Sequence, residues 1–170
     1  MLGLVLLYVG AVLALNGIWL LGGISDREIA IMNVFSGALG LAVALTAALG
    51  NLNDIAGVQA GAEILLFAFT YLWVAYNQFA GTDGRGLGWY CLFVSITAIP
   101  TAIYGLAHAQ GIWQWWLGAN WAAWAVLWFL YWLLMVPKRV SARIVGVVTI
   151  AEAAATCWIP AWLLLFGYLK

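Results

Sequence analysis

The chain has 170 residues, of which 67% are hydrophobic and 7% charged, and its six basic and six acidic side chains leave no net charge. A soluble domain of this size could not cover so much apolar surface, so the composition excludes a water-dissolved globule and points to a bilayer as solvent. The charge balance also excludes a nucleic-acid partner, which needs a basic footprint.

In chain order, six apolar segments are long enough to span a membrane, at roughly 2–21, 29–49, 59–79, 88–107, 113–136 and 142–167. The first lacks a basic leader and is long enough to cross, so it reads as a retained helix and not a cleaved signal. The links are short and polar: Ser25–Glu28, Asn51–Asp54, Gly81–Gly86, Ala107–Gln110 and Pro137–Arg139. Such links make neighbouring helices antiparallel and leave no room for an extramembrane enzyme. The expectation is an all-α membrane protein, a single six-helix transmembrane domain over 1–170, arranged as three helical hairpins. Lys and Arg fall in the first, third and fifth links, as Arg27, Arg85, Lys138, Arg139 and Arg143, and none falls in the second and fourth. The odd links are therefore expected in the cytoplasm and both termini outside, with Lys170 a lone exception at the tip.

Individual segments carry further signals. On the first, Leu2, Leu6, Val9, Leu13 and Asn16 share one face, an apolar stripe that ends in an amide. On the second, Ser36, Gly40, Ala44 and Ala48 recur every four residues, which allows close approach of another helix or subunit. The third places Glu63 near the outer mouth, with Phe67 and Tyr71 one turn apart. Snorkelling and a role at the mouth are both open for Glu63. His108, the single histidine, reads as a solvated side chain at the outer end of the fourth. On the fifth, Trp121, Trp124, Trp128 and Trp132 fall within about 80° of one face. Trp113, Trp115, Trp116 and Trp132 suit the headgroup levels. Trp121, Trp124 and Trp128 lie deeper, where each indole N–H needs a partner; helix packing and a pore wall are both open for them. On the sixth, Glu152 sits roughly 15 Å in, near the midplane. An ionisable group there is a functional candidate, against a structural hydrogen bond as the plainer reading. Pro100 and Pro160 mark kinks whose freed carbonyls need other partners.

Several chemistries are absent. No span contains lysine, so a retinal Schiff base is excluded, and no His or Cys pair has the spacing of a metal or haem site. Cys91 and Cys157 read as packing residues. There is no phosphate-binding glycine loop and no nucleophile with a base beside it. No cofactor is expected. What remains is a narrow passage lined by rings and aliphatics with one acid and one amide inside. It would reject hydrated ions and suit a small, flat, neutral, hydrogen-bonding solute.

The sequence also resembles the AmiS/UreI family of bacterial urea and short-chain amide channels. The resemblance rests on MLGLVLLYVG over Met1–Gly10, on Phe69-Thr70-Tyr71-Leu72, on Trp89-Tyr90 with Leu92-Phe93-Val94, on the Trp121, Trp124, Trp128 spacing, and on Glu152 followed by Trp158-Ile159-Pro160-Ala161-Trp162-Leu163-Leu164. These motifs lie on five of the six helices. The resemblance implies a ring-shaped homohexamer in the bacterial inner membrane, one pore per protomer, and two apolar constrictions. The outer would use Leu2, Leu6, Phe67 and Trp121. The inner would use Val9, Leu13, Tyr71, Trp124, Leu127 and Trp128. Glu152 would meet the solute between them and Asn16 would line the inner side. Acid-gated members of the family carry histidines in enlarged outer loops; here the second link is short and has none. The expectation is a passive channel for urea, acetamide or formamide that is not acid-gated and supplies a cytoplasmic amidase or urease. A proton-coupled transporter using Glu152 is the alternative, followed by a structural or receptor-like membrane subunit. An enzyme ranks last.

Overall fold

The structure, a computed structural model, describes residues 1–50 and 54–169; the link residues Asn51–Asn53 and the terminal Lys170 lie outside them. Six helices run through the described residues: α1 Leu2–Leu20, α2 Asp26–Leu49, α3 Ile55–Ala80, α4 Arg85–Ala107, α5 Ile112–Met135 and α6 Ala142–Leu165. Each is long and apolar enough to cross a membrane. This is the all-α membrane architecture that the apolar runs predict.

Three helices, α2, α3 and α4, start three or four residues before the apolar runs, because polar residues supply good first turns. Asp26 and Glu28 open α2 behind the N-cap Ser25, where negative charge complements the exposed N–H groups. Asp54 caps α3 by accepting from Ala56 N at 3.1 Å. Arg85 begins α4 after Gly84, whose positive φ of 74° suits a residue without Cβ. Gly81, with φ 63°, ends α3 in the left-handed cap.

Three antiparallel pairs form the bundle. α2 packs along α3, α4 along α5, and α1 along α6. The first two are closed by links, the third by the two ends of the chain. Glycines set that third contact. A Cβ on Gly10 would lie 2.9 Å from Trp158 N, and one on Gly17 would lie 2.7 Å from Gly146 O, so the backbones meet with no room for a side chain. The small stripe of α2 is spent within the protomer. Ser36 donates to Tyr8 O of α1 at 3.2 Å, and a Cβ on Gly61 of α3 would lie 2.7 Å from Ala44 O.

α6 is not uniform. Its middle, Ala153–Trp158, is π-helical, ahead of Pro160. Proline has no N–H to give to Thr156 O four residues back. That freed carbonyl accepts instead from Asn120 Nδ2 of α5 at 3.1 Å.

Candidate functional site

Trp121, Trp124, Leu127 and Trp128 are all buried, so the tryptophan stripe of α5 faces the bundle and not the lipid. Phe67 of α3 lies against it. Its ring centroid is 5.9 Å from that of Trp121, 5.0 Å from Trp124 and 4.7 Å from Trp128. Phe67 and Trp124 meet edge to face at 85°, a favoured arrangement for aromatic pairs.

Two of the indoles have their N–H groups taken by threonines. Trp124 donates to Thr156 Oγ1 of α6 at 2.9 Å, and Trp128 donates to Thr70 Oγ1 of α3 at 3.3 Å. Each threonine passes its own proton to a carbonyl one turn back, Thr156 to Glu152 O and Thr70 to Leu66 O, both at 2.7 Å. The packing demand of a buried indole and its position in the wall are thus met together.

A cavity opens on each side of these rings. The one beside the start of α1, called the outer after the orientation expected from the sequence, has a volume of about 70 Å³ and is walled by Leu2, Leu6, Phe67 and Trp121, together with Val9, Trp124 and Glu63 among others. The inner, of about 190 Å³, is walled by Leu13, Asn16, Tyr71, Trp124, Leu127 and Trp128, and reaches Thr82 and Asp83 at the α3–α4 link. Phe67 and Trp124 belong to both walls. These two rings, in edge-to-face contact, stand between the cavities.

Most of the residues picked from the sequence come together here, with two differences. Val9 lies on the smaller cavity and not on the larger one, level with Trp121 and Phe67. Glu152 walls neither cavity. It is half-buried, one turn from Thr149, whose hydroxyl pairs with Tyr131 OH at 3.2 Å. Its Oε2 is enclosed and has no hydrogen-bond partner among the described residues. Asn16 walls the inner cavity, but its amide is engaged: it exchanges hydrogen bonds with the fully buried Asn33 of α2, at 3.2 and 2.7 Å.

Asn33, Thr70, Asn120 and Thr156 were not singled out from the sequence. A polar residue on an apolar helix that also carries an aromatic motif was the available signal for Thr70. For Thr156 and Asn120 it was the proline four residues beyond Thr156, which leaves a carbonyl to be capped. Cys91 and Cys157 are buried and free, and no cluster of potential metal ligands occurs among the described residues.

Comparison with known proteins gives concordant results. The AmiS/UreI family transporter model matches residues 1–168. The chain is 40% identical over 167 residues to a putative amidate substrates transporter protein of Mycolicibacterium smegmatis, covering 97% of this chain and 76% of that one. It is 39% identical over 192 residues to the acid-activated urea channel of Helicobacter pylori, covering 96% and 97% respectively. The crystal structure of the Helicobacter pylori urea channel superposes with a TM-score of 0.87 at 36% identity over the whole of both chains.

Proposed function

This chain belongs to the AmiS/UreI family, and we propose that it is a passive channel for small neutral amides such as urea, acetamide and formamide. It is a multi-pass membrane transport protein and not an enzyme, as the family and the relatives are transporters and channels. The observation that carries the channel reading is the pair of cavities meeting at Phe67 and Trp124. The walls at that level are rings and aliphatics, which offer no substitute for an ion's hydration shell. A flat amide slides edgewise between flat rings, and its weak contacts let it leave as easily as it enters.

In this reading Leu2, Leu6, Phe67 and Trp121 form the outer constriction. Leu13, Tyr71, Trp124, Leu127 and Trp128 form the inner one. The single six-helix domain is one pore, six copies form a ring in the inner membrane, and both termini lie outside, in keeping with the Lys and Arg of the odd links. Solute delivered inward would supply a cytoplasmic amidase or urease. The second link has no histidine and the fourth has only His108, which supports a pore without an acid gate.

The deciding experiment is stopped-flow light scattering on proteoliposomes with urea, acetamide and glycerol. Fast entry of urea or acetamide, with glycerol slower, is expected. Entry no faster than in empty liposomes would overturn the channel reading. Trp124→Ala should widen the slot and speed larger amides.

One observation favours a second reading. The enclosed Oε2 of Glu152 without a partner is the kind of group a proton-coupled carrier would cycle between protonated and charged forms. Glu152→Gln separates the two. A coupled carrier loses uphill uptake driven by a proton gradient, whereas a channel shows no uphill uptake before or after the change.

A further inference from the structure

We propose that Glu63 and Trp121 form an entry site for a carboxamide in the outer cavity, ahead of the ring barrier; this rests on the amide-channel reading and adds to it a place where the solute is first held.

The outer cavity is apolar on most of its wall, with Leu2, Leu6, Phe67 and Leu117 facing it. Two polar side chains break that lining, Glu63 of α3 and Trp121 of α5. Trp121 differs from its neighbours on the stripe. The N–H groups of Trp124 and Trp128 are taken by threonines, but Trp121 Nε1 has no hydrogen-bond partner among the described residues. Nor is it one of the enclosed side-chain polar atoms that lack a partner, which among the described residues are Trp132 Nε1 and Glu152 Oε2. A donor left open on a cavity wall is available to whatever enters.

Glu63 supplies the complement. It is half-buried, two turns into α3. Gln59 Nε2 donates to its Oε1 at 2.9 Å, which steadies the carboxylate. The cavity wall contains no lysine or arginine to neutralise it. Its second oxygen has no partner among the described residues and is not enclosed. The cavity therefore offers one donor and one strong acceptor on facing helices, inside apolar walls. An amide carries the matching pair, a carbonyl oxygen and an N–H on the same carbon. The cavity has room for a molecule of urea or acetamide size.

The carboxylate also discriminates by charge. Acetate has the shape of acetamide but places negative charge where Glu63 already has it. The site should hold acetamide and turn acetate away, and so tell an amide from the acid its hydrolysis yields. A pocket built to hydrogen-bond a group rejects an analogue that lacks it far more strongly than one that senses shape alone.

The test uses the full chain in proteoliposomes at neutral pH, with acetamide entry normalised to inserted protein. Trp121→Phe keeps the ring and deletes the N–H; Glu63→Leu deletes the acceptor. Each should slow acetamide entry about three- to ten-fold, the worth of one hydrogen bond. External acetate should leave entry into parent liposomes unchanged. In Glu63→Gln, which keeps the shape and loses the charge, acetate should slow acetamide entry. A structural role for Glu63 would not produce that inhibition, and this variant decides the matter if either larger change disturbs insertion. Parent-like entry in Trp121→Phe and Glu63→Leu, with no acetate effect in Glu63→Gln, overturns the entry site and leaves the channel reading standing. A parent protein that passes no acetamide overturns the channel reading itself.

Discussion

Trp124 donates its indole N–H to the hydroxyl of Thr156 at 2.9 Å, and that hydroxyl donates in turn to the carbonyl of Glu152 at 2.7 Å. The ring is thereby fixed by α6 although it stands on α5. Because its N–H is already used, Trp124 meets a solute by shape and not by hydrogen bonding. Thr156→Val keeps the side chain's shape and removes the acceptor, stranding an indole N–H inside the bundle at a cost of about 1 kcal/mol. The expected outcome is a modestly lower thermal midpoint in detergent and a higher ratio of propionamide to acetamide flux, with Thr156→Ser restoring both. A Thr156→Val flux ratio equal to the parent's would show that the hydroxyl does not set the slot.

The α1–α6 contact depends on Gly17 and Gly146, whose backbones face each other. A Cβ on Gly17 would sit 2.7 Å from Gly146 O, and one on Gly146 would sit 2.9 Å from Gly17 O. The obstacle is main chain, which cannot rotate aside as a side-chain tip can. Gly17→Ala should destabilise by about 1–3 kcal/mol, the usual range for overpacking. Gly111→Ala, where nothing lies within 4 Å, is the control. Thermal unfolding in detergent, followed by circular dichroism, should show a clear drop for the first and little change for the second.

The bilayer-facing architecture was legible because it rests on run length and periodicity, which survive in a single sequence. The tryptophan stripe was legible for the same reason, and Phe67 of α3 packs against it. What stayed hidden was pairing between distant helices. No link ties α1 to α6; their contact follows from facing glycines at Gly10, Gly17 and Gly146, which look alike in sequence whether they face protein or lipid. The partner of Asn16 was hidden likewise, since nothing local distinguishes Asn33 from a residue turned elsewhere. Glu152 was legible as an acid at depth, but that it walls neither cavity was not, since nothing local in the sequence tells which neighbours its side chain meets.

The pore should be indifferent to pH. Histidine is the side chain whose charge changes most readily between pH 5 and 8. His108 is the single histidine, and it is exposed at the end of α4, with its ring stacked on Tyr104 at a centroid distance of 4.1 Å. It walls neither cavity. Urea and acetamide entry into proteoliposomes should therefore be equal at pH 5 and pH 7.5. Entry several-fold faster at pH 5 would show that an acid-responsive group other than a histidine gates the pore.

Asn120 has a structural task that follows from Pro160. The proline leaves Thr156 O without its helical donor, and Asn120 Nδ2 fills the place at 3.1 Å. The same threonine holds Trp124 through its hydroxyl, so one residue of the π turn is gripped twice by α5. Removing the amide should loosen the turn and, with it, the ring. Asn120→Leu should cost about 1–2 kcal/mol, because a buried carbonyl then lacks any partner, and it should raise the flux of larger amides as Thr156→Val does. The double variant tests the connection. If both changes act on one grip, their effects on the propionamide to acetamide ratio should fall short of additive. Full additivity would place the two residues in independent roles, with Asn120 serving α6 alone.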